Sequence, residues 1–219
     1  MIGIDPRQVK TDCGLSRCFS KTNLPMPQRP LILASSSPYR RSLLERLGVS
    51  FEVASPGVDE APLGGEAPRT RAARLSAAKA RAVAERNRGA IVIGSDQVAA
   101  LGSRVLDKPG DETTCRAQLA ALSGHAAHFF TGCAVVGIDA QLSLEHLDIT
   151  TVQFRSLSDD EIRRYVERER PYDCAGGFKA EALGITLFER IENLDPTALI
   201  GLPLVWLAGA LRRAGYALP

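Results

Sequence analysis

The stretch that most constrains the fold runs from Leu31 to Gly48, with the sequence L-I-L-A-S-S-S-P-Y-R-R-S-L-L-E-R-L-G. It begins with a short apolar segment, continues through three hydroxyl side chains, and then reaches Pro38, a residue favoured at the first position of a helix. Leucines follow at helical spacing, and Gly48 is typical of a helix end. The pattern therefore predicts a short strand leading directly into a helix, with Ser37 as the N-cap.

Two arginines, Arg40 and Arg41, fall in the first turn of this predicted helix. Positive charge there opposes the helix dipole, which favours anions at an N-terminus. A phosphate bound between the arginines and the free backbone N–H groups would explain their presence. An ordinary amphipathic helix with two solvated surface arginines explains it equally well, so this segment alone leaves both interpretations open.

The overall charge and the cysteines exclude several classes of function. The 219 residues include 27 basic and 25 acidic side chains, a net charge of +2 that gives no sign of a nucleic-acid or membrane-binding surface. The five cysteines are odd in number and lack zinc-ligand spacing, which predicts free thiols in a reducing cytoplasm. The uncharged run Thr197 to Leu211 is shorter than the ~20 apolar residues that span a bilayer.

Alternating strand and helix patterns predict an α/β chain with one mixed sheet. Residues 1–28 lack such periodicity and are expected to form a poorly ordered extension, followed by a single domain over residues 29–219. Besides the first strand and helix, strands are predicted over 51–54, 90–94, 128–136, 144–154 and 186–191. Further helices are predicted over 68–87, 111–124, 158–168 and 204–214.

Two charged residues stand out against their apolar surroundings. Asp96 follows the apolar strand 90–94, and ligands of open α/β sheets bind beyond the carboxyl ends of strands. A turn-forming aspartate is the alternative, but Gln97 and Val98 continue as a strand, which favours a functional role. Lys79 lies in the apolar stripe of the helix 68–87, so it must extend to solvent, the commoner outcome, or meet an anion.

Three further features are weak signals individually. Glu60 lies in a loop beside a second acidic residue, where carboxylates are usually solvated but can bind Mg²⁺ or Mn²⁺. Lys108 is held extended by the following proline and is otherwise an ordinary surface lysine. The glycine-rich segment that begins at Cys174 is either a plain connection or a ligand-binding loop, and Lys179 and Glu181 would share one side of it if extended.

Taken in order, these motifs resemble those of the Maf nucleotide pyrophosphatases. The resemblance includes L-A-S-S-S-P-Y-R-R, the V-D-E ending at Glu60, the helix segment around Lys79, the S-D-Q around Asp96 and the K-P at Lys108. It continues through L-S-G-H, F-T-G, C-A-G-G-F-K and G-L-P-L. The matching motifs cover the chain from residue 30 to residue 216, and their order is more specific than any one of them.

The resemblance implies a Maf/ITPase-like α/β fold, in which a long bent mixed β-sheet flanked by helices forms two lobes around a central cleft. It implies hydrolysis of a nucleoside triphosphate to a monophosphate and pyrophosphate with a divalent cation, Mg²⁺ or Mn²⁺. Asp96 would be the proton acceptor, and Glu60, with Asp96, would hold the metal. The phosphate-binding side chains would be Ser35, Arg40, Arg41, Lys79 and Lys108.

Within the family, the sequence is most similar to the branch acting on 7-methyl-GTP. Tyr39, Gln97 and Glu181 occupy the three positions that distinguish this branch from the one acting on dTTP and UTP. An aromatic ring attracts the positively charged 7-methylguanine by ~0.5–2 kcal/mol. Glu181 could accept hydrogen bonds from the guanine N1–H and amino groups. The sequence departs from the branch at Tyr39, where Trp is common, and at Asp107, where the family often has Gly.

Two alternatives to 7-methyl-GTP hydrolysis remain open from the sequence. One is the same chemistry on dTTP or UTP, and the other is a nucleotide-binding regulator of cell division without enzymatic activity. The charged residues Lys79, Asp96 and Lys108 argue against an inactive enzyme. The cysteines and the net charge predict a cytoplasmic protein that binds neither nucleic acid nor membrane. The resemblance implies that it removes modified nucleotides and takes a small-molecule nucleotide as its partner, and a homodimer is compatible with it.

Overall fold

A computed structural model describes residues 28–219, so the predicted N-terminal extension lies, except for its last residue, outside the described part of the chain. The strands of this part are β1 (Leu31–Ala34), β2 (Glu52–Val53), β3 (Ile91–Leu101), β4 (Arg104–Leu106), β5 (Ala126–Gly137), β6 (Leu142–Phe154) and β7 (Phe188–Glu192). Its α-helices are α1 (Pro38–Glu45), α2 (Pro68–Arg86), α3 (Glu112–Leu122), α4 (Asp159–Glu169) and α5 (Leu204–Arg213).

The strands form one mixed sheet in the order β2-β1-β3-β5-β6-β7, with β4 paired to β3. Pairing is parallel between β1 and its neighbours β2 and β3, and antiparallel elsewhere. The predicted α/β class with a mixed sheet flanked by helices is confirmed. The strand β3 is longer than predicted, because residues 95–100 pair with β5 and residues 99–101 pair with β4.

The extension of β3 changes the position of Asp96, which lies inside the strand and not after it. The parallel partner β1 nevertheless ends at the pair Ala34↔Gly94. Asp96 is therefore just beyond the carboxyl end of the parallel part of the sheet, the place where α/β proteins bind ligands. The expectation that a ligand binds beyond the carboxyl ends of strands therefore still applies at the end of β1, although β3 continues past Asp96.

Local sequence signals account for three helix starts. The Ser37 side chain accepts a hydrogen bond from the Arg40 backbone N–H at 3.4 Å, and Pro38 opens α1, as predicted. Asp111 caps α3 by accepting from the backbone N–H of Thr114 at 2.8 Å. Helix α4 begins with a complete capping box between Ser158 and the third helical residue. These bonds satisfy backbone donors that have no partner inside the helix.

The hydrophobic residues form clusters on both faces of the sheet. One cluster joins β1 and β3 to α1 and α5, and a second packs α2 onto the other face. A third lies at the other end of the sheet, where α3 and α4 cover β5 and β6 and where Phe129, Phe154, Phe178 and Phe188 pack edge to face. The first two clusters lie at one end of the sheet and the third at the other end, whereas the division into two lobes stays a prediction.

The segment before β7 differs from the prediction of a strand over 186–191. Residues Leu183–Leu187 form a 3₁₀ helix, and β7 begins at Phe188. The Thr186 hydroxyl donates to the Leu183 carbonyl oxygen at 2.8 Å, and such local side-chain bonds compete with extended structure. The alternation of apolar and polar residues over 186–191 did not reveal that a 3₁₀ helix would form in place of the first part of the strand.

Two predictions from composition can be compared with the described residues. Cys115, Cys133 and Cys174 are free thiols. None of the helices between residues 28 and 219 combines the length and the apolar character needed to cross a bilayer.

Close packing of α2 on the sheet gives a first prediction. A Cβ added at Gly94 would meet the Ser76 carbonyl oxygen and, at 2.5 Å, the Ala80 nitrogen, both backbone atoms that cannot move independently. We expect Gly94→Ala to lower the free energy of unfolding by ~1–3 kcal/mol because of this overpacking. Gly89→Ala is the matched control, since its Cβ meets nothing within 4 Å. Urea unfolding measures the free energy of unfolding of both variants, and equal stability of the two would contradict the packing argument.

Candidate active site

One cleft of about 780 Å³ lies at the carboxyl end of β1, within the size range of small-molecule sites. Its lining comes from the start of α1, the loop after β2, α2, β3, the β4–α3 connection, the glycine-rich loop and the segment before α5. Nine of the predicted site residues line it: Ser35, Tyr39, Arg40, Glu60, Lys79, Asp96, Gln97, Lys108 and Glu181. They come from distant parts of the sequence, so the fold brings them together.

The centre of the cleft is an ion-paired cluster of three side chains. The Lys79 Nζ lies 2.7 Å from the Asp96 Oδ1 and 2.9 Å from the Glu60 Oε2. Lys79 is only 5% exposed and Asp96 only 6%. Lys79 therefore does not extend to solvent but meets two carboxylates, which leaves one of its three N–H donors for another acceptor.

Glu60 and Asp96 are the residues expected to hold a divalent cation. No group of three or more His, Cys, Asp or Glu side chains suited to a metal occurs in the described part of the chain. Mg²⁺ is commonly held by one or two carboxylates together with substrate phosphates. The two carboxylates fit a cation that arrives with a polyphosphate better than a cation bound by the protein alone.

Arg40 is held at the start of α1 by the segment before α5. Its Nε donates to the Gly201 carbonyl oxygen at 3.1 Å and its Nη1 to the Ser35 hydroxyl at 3.3 Å. The Ser95 hydroxyl also lies 2.8 Å from the Gly201 oxygen. Burial lowers the pKa of Arg40, partly offset by the charge of Asp96. These contacts fix a guanidinium beside the Lys79–Asp96 pair.

Arg41 lies outside the cleft, in contrast to its neighbour. Its side chain is 65% exposed and pairs with Glu45 at 3.1 Å. Adjacent residues of a helix do not face the same way, so only one of the two arginines can point into the cleft. The position of Arg41 therefore does not support the predicted phosphate contact, and the surface interpretation applies to this residue.

A second part of the cleft contains an aromatic ring and acidic groups. The Tyr39 hydroxyl donates to the Asp173 Oδ2 at 3.1 Å, and the Cys174 sulfur lies 3.6 Å from the same hydroxyl. Desolvation and these neighbours raise the pKa of Tyr39, so the ring stays neutral. Glu181 is exposed and also lines the cleft. This part can offer a ring face and negative charge to a cationic base.

Lys179 and Glu181 do not share one side of the glycine-rich segment, as they would if it were extended. Residues 180–182 form a turn, and the Lys179 Nζ donates to the Glu169 carbonyl oxygen at 3.3 Å, away from the cleft lining. Gly184 packs against the backbone of Lys179, so the chain folds back here. Only Glu181 of the two lines the cleft.

The side-chain N–H groups of Gln97 donate hydrogen bonds to acceptors within the protein. Its Nε2 lies 2.9 Å from the Thr131 Oγ1 and 3.0 Å from the carbonyl oxygens of Ala198 and Leu199. Its Oε1 is the atom that remains for a ligand. The registers Gln97↔Thr131 and Thr131↔Asp148 align three polar side chains across β3, β5 and β6, beneath the segment before α5.

Sequence reasoning missed the residues that support this segment. Asp195 is 3% exposed and accepts from the Thr197 hydroxyl and from the Val205 N–H, each at 2.7 Å. Burial, with the nearby charge of Asp195, raises the pKa of Asp148. The motif F-T-G contains Thr131, but only the structure reveals what the side chains of Thr131 and Asp195 contact.

The loop that carries Glu60 is attached to α2 by an arginine–carboxylate pair. The Arg74 Nε and Nη2 donate to the two carboxylate oxygens of Glu66 at 2.6 and 2.7 Å, and Nη2 also lies 3.2 Å from the Ala61 carbonyl oxygen. The hydrogen bond from Arg74 lowers the pKa of Glu66 to about 2. The pair stabilises the loop that positions Glu60.

The depressed pKa of Glu66 predicts a pH-dependent contribution to stability. The contribution is present above the unfolded pKa of about 4.3 and is lost as the pH falls towards about 2. We expect Glu66→Gln to lower the free energy of unfolding at pH 7 and to match the wild type near pH 2. Glu85→Gln, an exposed change on α2, is the control. Urea unfolding between pH 7 and pH 2 measures the difference, and a difference that does not change with pH would contradict the argument.

The fold and the cleft define an α/β protein with a buried lysine–aspartate pair in a polar cleft suited to an anionic ligand. The family model described as Maf-like protein matches residues 30–214, and the chain belongs to this family. This confirms the resemblance recognised in the sequence.

Individual relatives share about half of their residues with this chain. The 7-methyl-GTP pyrophosphatase of Polaromonas sp. is 52% identical over 90% of both chains. The protein of the same name from Xanthomonas oryzae pv. oryzae is 53% identical over 86% of this chain and 98% of its own. That from Nitrosococcus oceani is 47% identical over 89% and 98%. The solved Ham1 protein of Staphylococcus aureus is 14% identical, covers 57% of this chain and 72% of its own, and has a TM-score of 0.42.

Proposed function

We propose that this protein is a nucleoside triphosphate pyrophosphatase that hydrolyses 7-methyl-GTP to 7-methyl-GMP and pyrophosphate. The observation that carries the proposal is the buried Lys79–Asp96 pair, 2.7 Å apart, in a cleft also lined by Arg40 and Lys108. The relatives named 7-methyl-GTP pyrophosphatase, at 47–53% identity, support the substrate.

In this proposal Asp96 accepts the proton of a water molecule that attacks the α-phosphorus in line. A bond forms between the water oxygen and the α-phosphorus as the bond from that phosphorus to the bridging oxygen breaks, and pyrophosphate leaves. Lys79 orients the Asp96 carboxylate through their ion pair and donates its remaining N–H to a phosphate oxygen. Arg40, Ser35 and Lys108 stabilise the negative charge of the triphosphate.

Glu60 and Asp96 are the residues that would hold Mg²⁺ or Mn²⁺. The cation would neutralise phosphate charge and polarise the phosphorus–oxygen bonds when bound. The ion pairs to Lys79 keep both carboxylates at one end of the cleft, where a polyphosphate can supply further oxygen ligands.

The base would bind beside Tyr39, Gln97 and Glu181. The positive charge of 7-methylguanine favours the ring face of Tyr39 and the negative charges of Glu181 and Asp173, which all line the cleft. Glu181 would accept from the guanine N1–H and amino groups, whereas uracil and thymine have no amino group to donate. The Gln97 amide group is held by Thr131 and the backbone, so the Gln97 oxygen faces the ligand as an acceptor.

The proposal is tested by a substrate panel. We expect the purified protein, with Mg²⁺ or Mn²⁺, to release pyrophosphate faster from 7-methyl-GTP than from GTP, dTTP or UTP. We expect Asp96→Asn to lower turnover ~10²-fold or more because the proton acceptor is lost. Asp139→Asn, which changes an exposed aspartate paired with Arg88 outside the cleft, is the control.

Each other outcome of the panel has a distinct meaning. Preference for dTTP or UTP would assign the chemistry to pyrimidine substrates. Binding of nucleotides without pyrophosphate release would favour the regulator of cell division. Wild-type turnover in the Asp96→Asn variant would refute the role of Asp96.

The base contact of Glu181 gives a separate prediction. We expect Glu181→Gln to lower the ratio of kcat/KM for 7-methyl-GTP to that for UTP by ~10-fold or more, because a charged acceptor is replaced by a neutral amide. Glu189→Gln, an exposed change on β7 outside the cleft, should leave the ratio unchanged. Steady-state kinetics on both nucleotides measure the ratio, and an unchanged ratio in Glu181→Gln would remove this residue from base recognition.

A cytoplasmic location and a homodimer complete the proposal. The free thiols of Cys115, Cys133 and Cys174 support a reducing compartment. Sedimentation of the purified protein distinguishes a monomer from a dimer.

A further inference from the structure

Arg71 lines the cleft, although no sequence motif pointed to it. It lies on α2 two helical turns before Lys79, and the residue between them, Leu75, also lines the cleft. Positions four apart lie on one face of a helix, so this face of α2 presents Arg71, Leu75 and Lys79 in a row. The two cations are about 12 Å apart along the helix axis.

The donors of Arg71 are only partly used by the protein. Its Nη2 donates to the Glu60 carbonyl oxygen at 3.2 Å. Its Nε is buried and has no hydrogen-bond partner among residues 28–219. Lys79 and Arg74 on the same helix both pair with carboxylates, whereas Arg71 forms no such ion pair in the described part of the chain. An unpaired buried donor is costly, so an acceptor at this position would be favourable.

Glu60 connects the two cations of this face. Its side-chain oxygen contacts Lys79 and its backbone oxygen contacts Arg71, which places charged groups in the order Asp96, Lys79, Glu60, Arg71 along one wall. Tyr39 and the glycine-rich loop, which would hold the base, belong to other elements of the cleft. A nucleoside triphosphate with its α-phosphorus at Asp96 and its base at Tyr39 would therefore extend its β- and γ-phosphates along the wall that contains Arg71.

We infer that Arg71 binds the β- and γ-phosphates of the substrate and holds the pyrophosphate leaving group. This inference rests on the proposed function, which places the α-phosphorus beside Asp96. A guanidinium donates two parallel hydrogen bonds to phosphate oxygens, a geometry that a lysine cannot reproduce. The bond to Glu60 ties this phosphate contact to the residue that would hold the cation.

The test is calorimetric titration of inorganic pyrophosphate, with Mg²⁺ present, into the wild type and three variants. We expect Arg71→Ala to weaken pyrophosphate binding ~10- to 100-fold, as for the loss of hydrogen bonds to a charged group. Arg71→Lys should lie between Arg71→Ala and the wild type, because it keeps the charge without the paired donors. Arg69→Ala, an exposed arginine of the same helix outside the cleft lining, should bind like the wild type.

A second titration separates phosphate contact from a purely structural role. We expect 7-methyl-GMP, which lacks the leaving group, to bind all variants equally. An equal loss of affinity for both ligands in Arg71→Ala would show that Arg71 only supports the loop of Glu60, and would overturn the inference. Unchanged pyrophosphate affinity in Arg71→Ala, or no pyrophosphate binding by the wild type, would overturn it as well.

Failure of the proposed function would appear in a different measurement. A wild type that releases no pyrophosphate from any nucleotide refutes the enzymatic proposal, whatever the calorimetry gives. An active wild type whose Arg71→Ala variant retains wild-type kcat/KM for 7-methyl-GTP refutes only the role of Arg71.

Discussion

The buried ion pair between Lys79 and Asp96 is the interaction on which the rest of the cleft depends. Placing two charges at 5% and 6% exposure is unfavourable unless each meets its partner closely, as they do at 2.7 Å. The pair joins the middle of α2 to the middle of β3. Removing one partner of such a pair destabilises a protein by ~3–5 kcal/mol, because the other charge stays buried. The site and the packing of α2 on the sheet are therefore one structural feature.

That ion pair requires α2 to lie close to the sheet. Gly94 and Gly132 provide the space, since a Cβ on either would overlap the backbone of α2 at Ser76 or Ala72. The helix lies against two neighbouring strands at positions without side chains. Tight packing at these glycines brings the Lys79 side chain to the edge where the parallel strand β1 ends. The same edge carries the start of α1 and thus Arg40.

A second polar network supports the other side of the cleft. Gln97 and Thr131 bond to the carbonyl oxygens of the segment that ends at Gly201, whose own carbonyl oxygen accepts from Arg40. The buried Asp195 holds the same segment by accepting from backbone and hydroxyl donors. The position of Arg40 therefore depends on backbone carbonyl groups that are themselves hydrogen-bonded to side chains of the sheet. Thr131 and Asp195, to which no substrate contact is assigned, can in this way affect how Arg40 is positioned.

The sequence by itself determined the α/β class and the capped start of α1 at Ser37, and it predicted Asp96 and Lys79 as candidate site residues, because these follow from local periodicity and from charge in apolar surroundings. It did not distinguish Arg40 from Arg41, since the direction in which each arginine points depends on the segment packed against α1. It gave no sign of Arg71, and it left open whether Lys79 meets solvent or a carboxylate. The orientation of the two arginines, the position of Arg71 and the partners of Lys79 are determined only by the tertiary structure. The physical reason is that contacts between residues far apart in the chain depend on how the helices are placed on the sheet.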